Sequence, residues 1–111
     1  MLRRFVAAVL VCVFATNVAI ADPRPQKWCG WWMRQHLGVS DTRLNRADQW
    51  THFGSPADGA AVGVIVVWRH HVGIITGGQP GHWTVKSGND GGRVRERVRS
   101  LRGAIALRWP R

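Results

Sequence analysis

An N-terminal targeting segment limits what this chain of 111 residues can fold into. Arg3-Arg4 precedes an apolar run over residues 5–14, and Ala19-Ile20-Ala21 has the small-x-small pattern that signal peptidase recognises. The apolar run is shorter than the roughly 20 residues that a spanning helix needs, although a retained membrane anchor is the alternative. We therefore predict a signal peptide over residues 1–21, cleaved after its last alanine. A single small domain over residues 22–111, secreted or periplasmic and without a membrane span, would remain.

Removal of the signal peptide would take Cys12 away and leave Cys29 as the only thiol of the mature domain. Small secreted domains usually gain stability from disulfides, and this one could form none within its own chain. A lone thiol in an oxidising compartment is buried, paired with another chain, or used chemically. Cys29 is therefore the first candidate functional residue.

Hydrophobic spacing predicts short helices in the first half of the mature domain. The apolar residues of segment 29–37 recur at i, i+3, i+4 and i+8, which is one face of a helix, and Gly38 is a plausible stop. A second short helix is predicted over residues 46–53, with Asn45 as its N-cap and Gly54 at its end. The prediction is two helices close together in the chain.

The second half of the domain has the pattern of antiparallel strands. Runs rich in β-branched residues predict strands at 64–68, 72–76, 83–86 and 104–109. Residues 77–81 predict a hairpin turn, and the polar, Gly-rich segment 87–92 predicts a loop. Residues 93–99 alternate arginine with other residues, as in a strand, although helical spacing fits almost as well. Helices followed by an antiparallel sheet define an α+β fold.

Three residues in chain order could form a thiol-based catalytic site. A cysteine nucleophile needs a stabilised thiolate, a base within hydrogen-bond reach and a group that orients the base. Cys29 begins the first predicted helix, where unpaired N–H groups and the helix dipole would lower the thiol pKa and could hold an oxyanion. His71 opens a strand and would be the base. Asn89, or alternatively Asp90, would orient it, and the order Cys, His, Asn is the papain-like order.

Three segments of the chain resemble a known family. They are Trp28-Cys29-Gly30-Trp31-Trp32, the stretch from 67 to 77 that contains His71-Val72-Gly73-Ile74, and Ser87-Gly88-Asn89. Together they resemble the NlpC and CHAP superfamily of murein cysteine peptidases and amidases. The resemblance covers about residues 28–109, and the His-Val-Gly-Ile strand is its most specific part.

This resemblance implies a papain-like, NlpC/CHAP-type core and a thiol hydrolase that cleaves peptide or amide bonds of peptidoglycan. Carried over residue by residue, Cys29 would be the nucleophile, His71 the base and Asn89 the orienting residue. CHAP-type enzymes commonly have a Glu two residues before the Asn, and Ser87 occupies that position here. NlpC-type enzymes often use a Tyr near the site, and this chain contains none.

Each candidate residue also has a purely structural interpretation. Cys29 shares its helical spacing with Trp32 and Met33, which is typical of a buried core residue. His71 could be a structural histidine at a strand end. The run from Asn89 to Gly92 is also an ordinary turn sequence in which Asn adopts a left-handed conformation.

Charge suggests the kind of partner. The net charge is +10, and residues 93–102 carry a run of arginines that forms either a solvated face or a surface for anionic polymers. A secretory signal argues against nucleic acid, so peptidoglycan or another anionic envelope polymer is the expected partner. The alternative function is therefore a non-catalytic basic envelope protein of the same fold. A single thiol, few carboxylates and histidines without ligand spacing predict no metal and no cofactor, and we expect a monomer.

Overall fold

Helix α1 begins at Cys29 and ends at Leu37 in the computed structural model, which describes residues 23–111. Gly38 follows it in a left-handed conformation (φ 70°), which costs glycine nothing, and its N–H bonds to the carbonyl of Arg34. Both ends of the predicted helix are confirmed. The predicted signal peptide lies outside the described residues.

The second short helix predicted over residues 46–53 is present as the 3₁₀ helix Ala47–His52. Another 3₁₀ helix, Thr42–Asn45, precedes it, and Arg46 separates the two in an extended conformation. Asp41 caps the first by accepting a hydrogen bond from the Arg43 N–H. Asn45 caps nothing, because its side-chain oxygen accepts a bond of 2.7 Å from the buried Arg34 of α1.

Six antiparallel strands form one sheet, and the α+β class is confirmed at this level. The strands are β1 (Ser55–Pro56), β2 (Ile65–Trp68), β3 (His71–Gln79), β4 (His82–Ser87), β5 (Arg95–Val98) and β6 (Ala106–Trp109). Their spatial order is β1-β6-β2-β3-β4-β5. Strands β2 to β5 follow one another as a meander, and β6 returns to pair with β2 and β1. The last strand, β6, therefore lies between β1 and β2, and β1 is the edge of the sheet on the side away from β5.

The hairpin between β3 and β4 turns later than the sequence predicts. β3 continues through Gly77 and Gly78 to Gln79, with a register shift between Ile75 and Gly77. Gly78 has φ 96°, and a Cβ there would lie 2.2 Å from the carbonyl oxygen of His82. The two glycines therefore mark an irregular, closely paired strand end.

The sheet is covered on both faces. The helix face carries α1 and the 3₁₀ helices over a core that includes Cys29, Met33, Leu44, Ala47, Trp50, Ile65, Val67, Val72 and Ile74. The loop face is built on Val64, Val66, Ile75 and Val85, with partly buried side chains such as Trp68, Trp83, Leu101 and Ala104 packed on them. Both sets come from the same strands because successive side chains point to opposite faces. Within residues 23–111, no helix is long and apolar enough to span a membrane.

The arginine-rich segment is a strand, and its arginines point inward. β5 pairs with β4 so that Arg97 lies opposite buried Val85, while Glu96 and Val98 point to the other face. Val98 is 57% exposed and Val94 43%, whereas Arg95 and Arg97 are half-buried. Arginine tolerates this position because its aliphatic stem covers apolar surface while the guanidinium finds a partner, which for Arg97 is Asp90.

Candidate active site

Cys29 is the first residue of α1, and its side chain meets the beginning of β3. Its thiol lies 3.9 Å from the carbonyl oxygen of His70, and the N–H group of Val72 also bonds to the sulfur. These two backbone groups belong to the residues on either side of His71. The sulfur of the sequence-predicted nucleophile therefore contacts the backbone on both sides of the sequence-predicted base.

The strand geometry explains why the thiol fits there. β2 pairs with His71 and Val72 from one side. On the other side β4 ends at Ser87, which the register places opposite Gly73. The carbonyl of His70 and the N–H of Val72 therefore have no strand partner, and an unpaired buried backbone group is costly. The first residue of α1 occupies this open edge.

Burial dominates the electrostatics of the thiol. Only 5% of Cys29 is exposed, and this desolvation raises the thiol pKa above its ordinary value. The N–H groups of Val72, Gly30 and Cys29 itself act in the opposite direction, as does the charge of Arg99. The sequence prediction of a lowered pKa at the helix start is therefore wrong in its net direction, although the backbone donors behind it are present.

His71 lies on the loop face of the sheet and is held there by two side chains. It pairs directly with Trp68, and directly paired residues share a face. The two ring centroids are 5.9 Å apart at an angle of 48°. On the neighbouring strand β4, the fully buried Ser87 places its Oγ atom 2.9 Å from the Nε2 atom of His71. Ser87 therefore fixes the orientation of the imidazole.

The imidazole is neutral at physiological pH. Burial lowers the pKa of His71 from 6.5 to about 4, and the positive charge of Arg99 acts in the same direction. The carboxylate of Asp90 raises it, and Arg97 lowers it further. A neutral imidazole has a free lone pair, so it can accept a proton.

Neither predicted orienting residue contacts His71. Asn89 has φ 53°, and within residues 23–111 its side chain makes no hydrogen bond to the imidazole. It thus has the conformation expected for the turn interpretation. Asp90 is engaged elsewhere, because Arg97 binds both of its oxygens at 2.8 and 3.0 Å. Ser87 is the residue that sequence reasoning missed, and the only signal for it was its place at the position where CHAP-type enzymes have a Glu.

A cleft of about 470 Å³ leads to Cys29 from the side of the 3₁₀ helices. Its wall contains three basic residues, Lys27, Arg46 and Arg69, and one acidic residue, Asp48. Cys29 and His70 line the cleft, whereas His71 is not part of its wall. The cleft therefore gives access to the sulfur through a mostly cationic entrance.

Among residues 23–111, no three His, Cys, Asp or Glu side chains are grouped as a metal site would require. Comparison of the chain with family models, with curated proteins and with solved structures gives no match. The α+β fold with its six-stranded antiparallel sheet is thus defined by the structure alone. Membership of the NlpC and CHAP superfamily stays a prediction from the sequence motifs.

Proposed function

We propose that this protein is a secreted or periplasmic cysteine hydrolase that cleaves amide bonds in peptidoglycan peptides. One observation carries the proposal: the Cys29 thiol sits against the backbone on both sides of His71, while Ser87 holds the Nε2 atom of that imidazole. These contacts support the assignment of Cys29 as nucleophile, His71 as base and Ser87 as orienting group. This is the papain-like logic, with Ser87 in the orienting role.

The mechanism starts from a neutral pair. The neutral His71 takes the thiol proton as Cys29 attacks the scissile carbonyl carbon, which gives a tetrahedral intermediate and an imidazolium. The first N–H groups of α1 have no partner within the helix and lie beside the sulfur, where they can bind the oxyanion. The imidazolium then protonates the leaving amine, which breaks the C–N bond and leaves a thioester on Cys29. Water, deprotonated by His71, hydrolyses the thioester and frees the thiol.

Digestion of purified peptidoglycan tests the activity. The native protein should release new amino groups, and Cys29→Ala and His71→Ala should release none above background. His82→Ala is the matched control for the second variant, because His82 is an exposed histidine at the far end of the β3–β4 hairpin. Folded native protein that releases no amines would refute the proposal, as would a Cys29→Ala variant that keeps full activity.

Thiol alkylation tests the pairing of Cys29 with His71 without a substrate. The rate of reaction with iodoacetamide is measured from pH 4 to pH 10 in the native protein, in His71→Ala and in His82→Ala. A coupled imidazole should make the native thiol react faster at neutral pH than the thiol of His71→Ala, and His82→Ala should match the native protein. Identical profiles in all three proteins would mean that Cys29 is only a core residue.

A second candidate function is binding of anionic envelope polymers without catalysis. The mostly basic wall of the cleft and the exposed arginines near β5 favour it. Such binding should weaken steeply as salt is added, because charged contacts are screened. It should also be unchanged in Cys29→Ala. Salt-sensitive binding together with absent hydrolysis would select this function over the first.

A further inference from the structure

The loop face of the sheet carries a row of arginines beside the imidazole. Arg95 pairs with Ser87 and Arg97 with Val85, so both side chains share the face of His71. The N–H of Arg99 bonds to the carbonyl of Trp83, which continues the same register and places Arg99 on that face too. From the sequence alone, these arginines are expected to form a solvated or polymer-binding surface. Their orientation places them next to the candidate site instead.

Arg99 is the member of this row whose guanidinium lies over Trp68, the aromatic ring that also contacts His71. Its Cζ atom lies 4.7 Å from the centroid of the Trp68 ring, and the same ring lies 5.9 Å from the His71 ring. The Trp68 N–H is fixed by the carbonyl of Arg102 at 3.0 Å, so the indole is held in place. Arg99 and His71 are therefore two side chains on one rigid aromatic ring.

The charge of Arg99 is only partly compensated. Its nearest carboxylate oxygen, Oδ2 of Asp90, is 3.6 Å away from Nη1, too far for a hydrogen bond. That nitrogen is buried and has no hydrogen-bond partner among the described residues. Asp90 already has a bidentate partner in Arg97, at 2.8 and 3.0 Å. Two guanidinium groups thus share one carboxylate, and the excess positive charge lies at the Arg99 end, where the side chain is 24% exposed.

We propose that Arg99 is a positioning residue of the Cys29–His71 site, whose guanidinium, stacked on Trp68, holds a fixed positive charge near the imidazole and adds to the effect of burial in favouring its neutral, proton-accepting form. This inference rests on the proposed function, because a proton acceptor matters only where the thiol attacks a substrate. The guanidinium acts on His71, and on the Cys29 thiol, through its charge rather than through a hydrogen bond. It acts through the field at His71, which a low-dielectric, partly buried setting strengthens.

The other charged and titratable groups around His71 come from three elements. Cys29 approaches from α1, Asp90 from the loop after β4, and Arg95 and Arg97 from β5. Asp90 acts against Arg99 at the imidazole, while Arg97 acts with Arg99 and is the weaker of the two. Among these charged groups, Arg99 therefore has the largest effect on the His71 ring. Its removal should favour the protonated form of the imidazole.

The titration of His71 tests this directly. The proton chemical shift of the imidazole Cε1–H is followed against pH by NMR in the native protein and in Arg99→Gln. Arg102→Gln is the matched control, because it removes the same charge from an exposed arginine three positions along the chain. Arg99→Met is a second variant that keeps an apolar stem against Trp68, in case the first fails to fold.

We expect the native midpoint near 4 and a midpoint higher by roughly half a pH unit to one unit in Arg99→Gln and Arg99→Met. Arg102→Gln should match the native protein, and Arg99→Lys, which keeps the charge, should stay close to it. A merely structural role for Arg99 would not move this midpoint. An Arg99 variant that titrates like the native protein would overturn the inference, and so would an equal shift in Arg102→Gln.

Failure of this inference is distinguishable from failure of the proposed function. An unshifted midpoint in a protein that digests peptidoglycan would refute the role of Arg99 alone. A shifted midpoint in a protein that releases no amines would confirm the charge placement around His71 and refute the hydrolase.

Discussion

Acidification from pH 7 to pH 5 should destabilise the fold through His71. In an unfolded chain an imidazole titrates near 6.5, whereas in the fold burial lowers the pKa of His71 to about 4. Between these two values the unfolded chain binds a proton that the folded protein excludes. The free energy of unfolding therefore falls as the pH falls through this window, and the contribution of His71 is constant above about 6.5 and below about 4.

The size of the effect follows from the shift. One pKa unit corresponds to about 1.4 kcal/mol, so linkage between pH 7 and pH 5 gives at most about 2 kcal/mol. A folded-state pKa near 4 therefore predicts a loss of about 2 kcal/mol over this interval. Asp90, whose pKa is lowered mainly by its hydrogen bond with Arg97, acts below this window. Its stabilising contribution is lost only as the pH falls below the ordinary carboxyl value of 3.8.

Urea unfolding followed by tryptophan fluorescence measures this at both pH values. The native protein and His82→Gln should lose about 2 kcal/mol between pH 7 and pH 5. His71→Gln should lose clearly less, because glutamine does not titrate. The reasoning is refuted if His71→Gln keeps the full pH dependence, or if the native protein is as stable at pH 5 as at pH 7.

Three further predictions concern the site and its scaffold. If His71 is the base, kcat/KM for peptidoglycan hydrolysis should fall on the acid side of its pH profile with a midpoint near 4. A midpoint near the ordinary histidine pKa would contradict a neutral, buried imidazole. Ser87→Ala removes the hydrogen-bond partner of the imidazole, so it should lower the free energy of unfolding in urea by about 1 kcal/mol and lower kcat. Unchanged stability and activity would show that the 2.9 Å contact does not orient the imidazole. Gly30→Ala should lower the free energy of unfolding by about 2 kcal/mol or more, because the new Cβ would lie 2.3 Å from a backbone carbonyl oxygen of the first 3₁₀ helix. The control Gly59→Ala, whose Cβ would meet nothing within 4 Å, should change the free energy of unfolding by less than about 0.5 kcal/mol. Equal effects of the two substitutions would argue against this close packing.

Local pattern predicted α1 and the meander well. The helical spacing of apolar residues after Cys29 and the stop at Gly38 depend only on neighbouring residues, as do the β-branched runs of β2 and β3. The short helix predicted over residues 46–53 forms as the 3₁₀ helix Ala47–His52, but its predicted cap, Asn45, binds Arg34 of α1 instead. A side-chain partner eleven positions away is invisible to a propensity rule.

Spacing along the chain predicts which residue types could form the site, whereas packing between distant segments sets how those residues interact. A single thiol at the start of a helix and a histidine at the start of a strand are readable from spacing alone. Three things were not readable: that burial raises the Cys29 pKa, that Ser87 holds His71, and that the arginines of β5 point inward. Desolvation, register and the face of a strand are set by packing between distant segments, so they exist only once the sheet has formed.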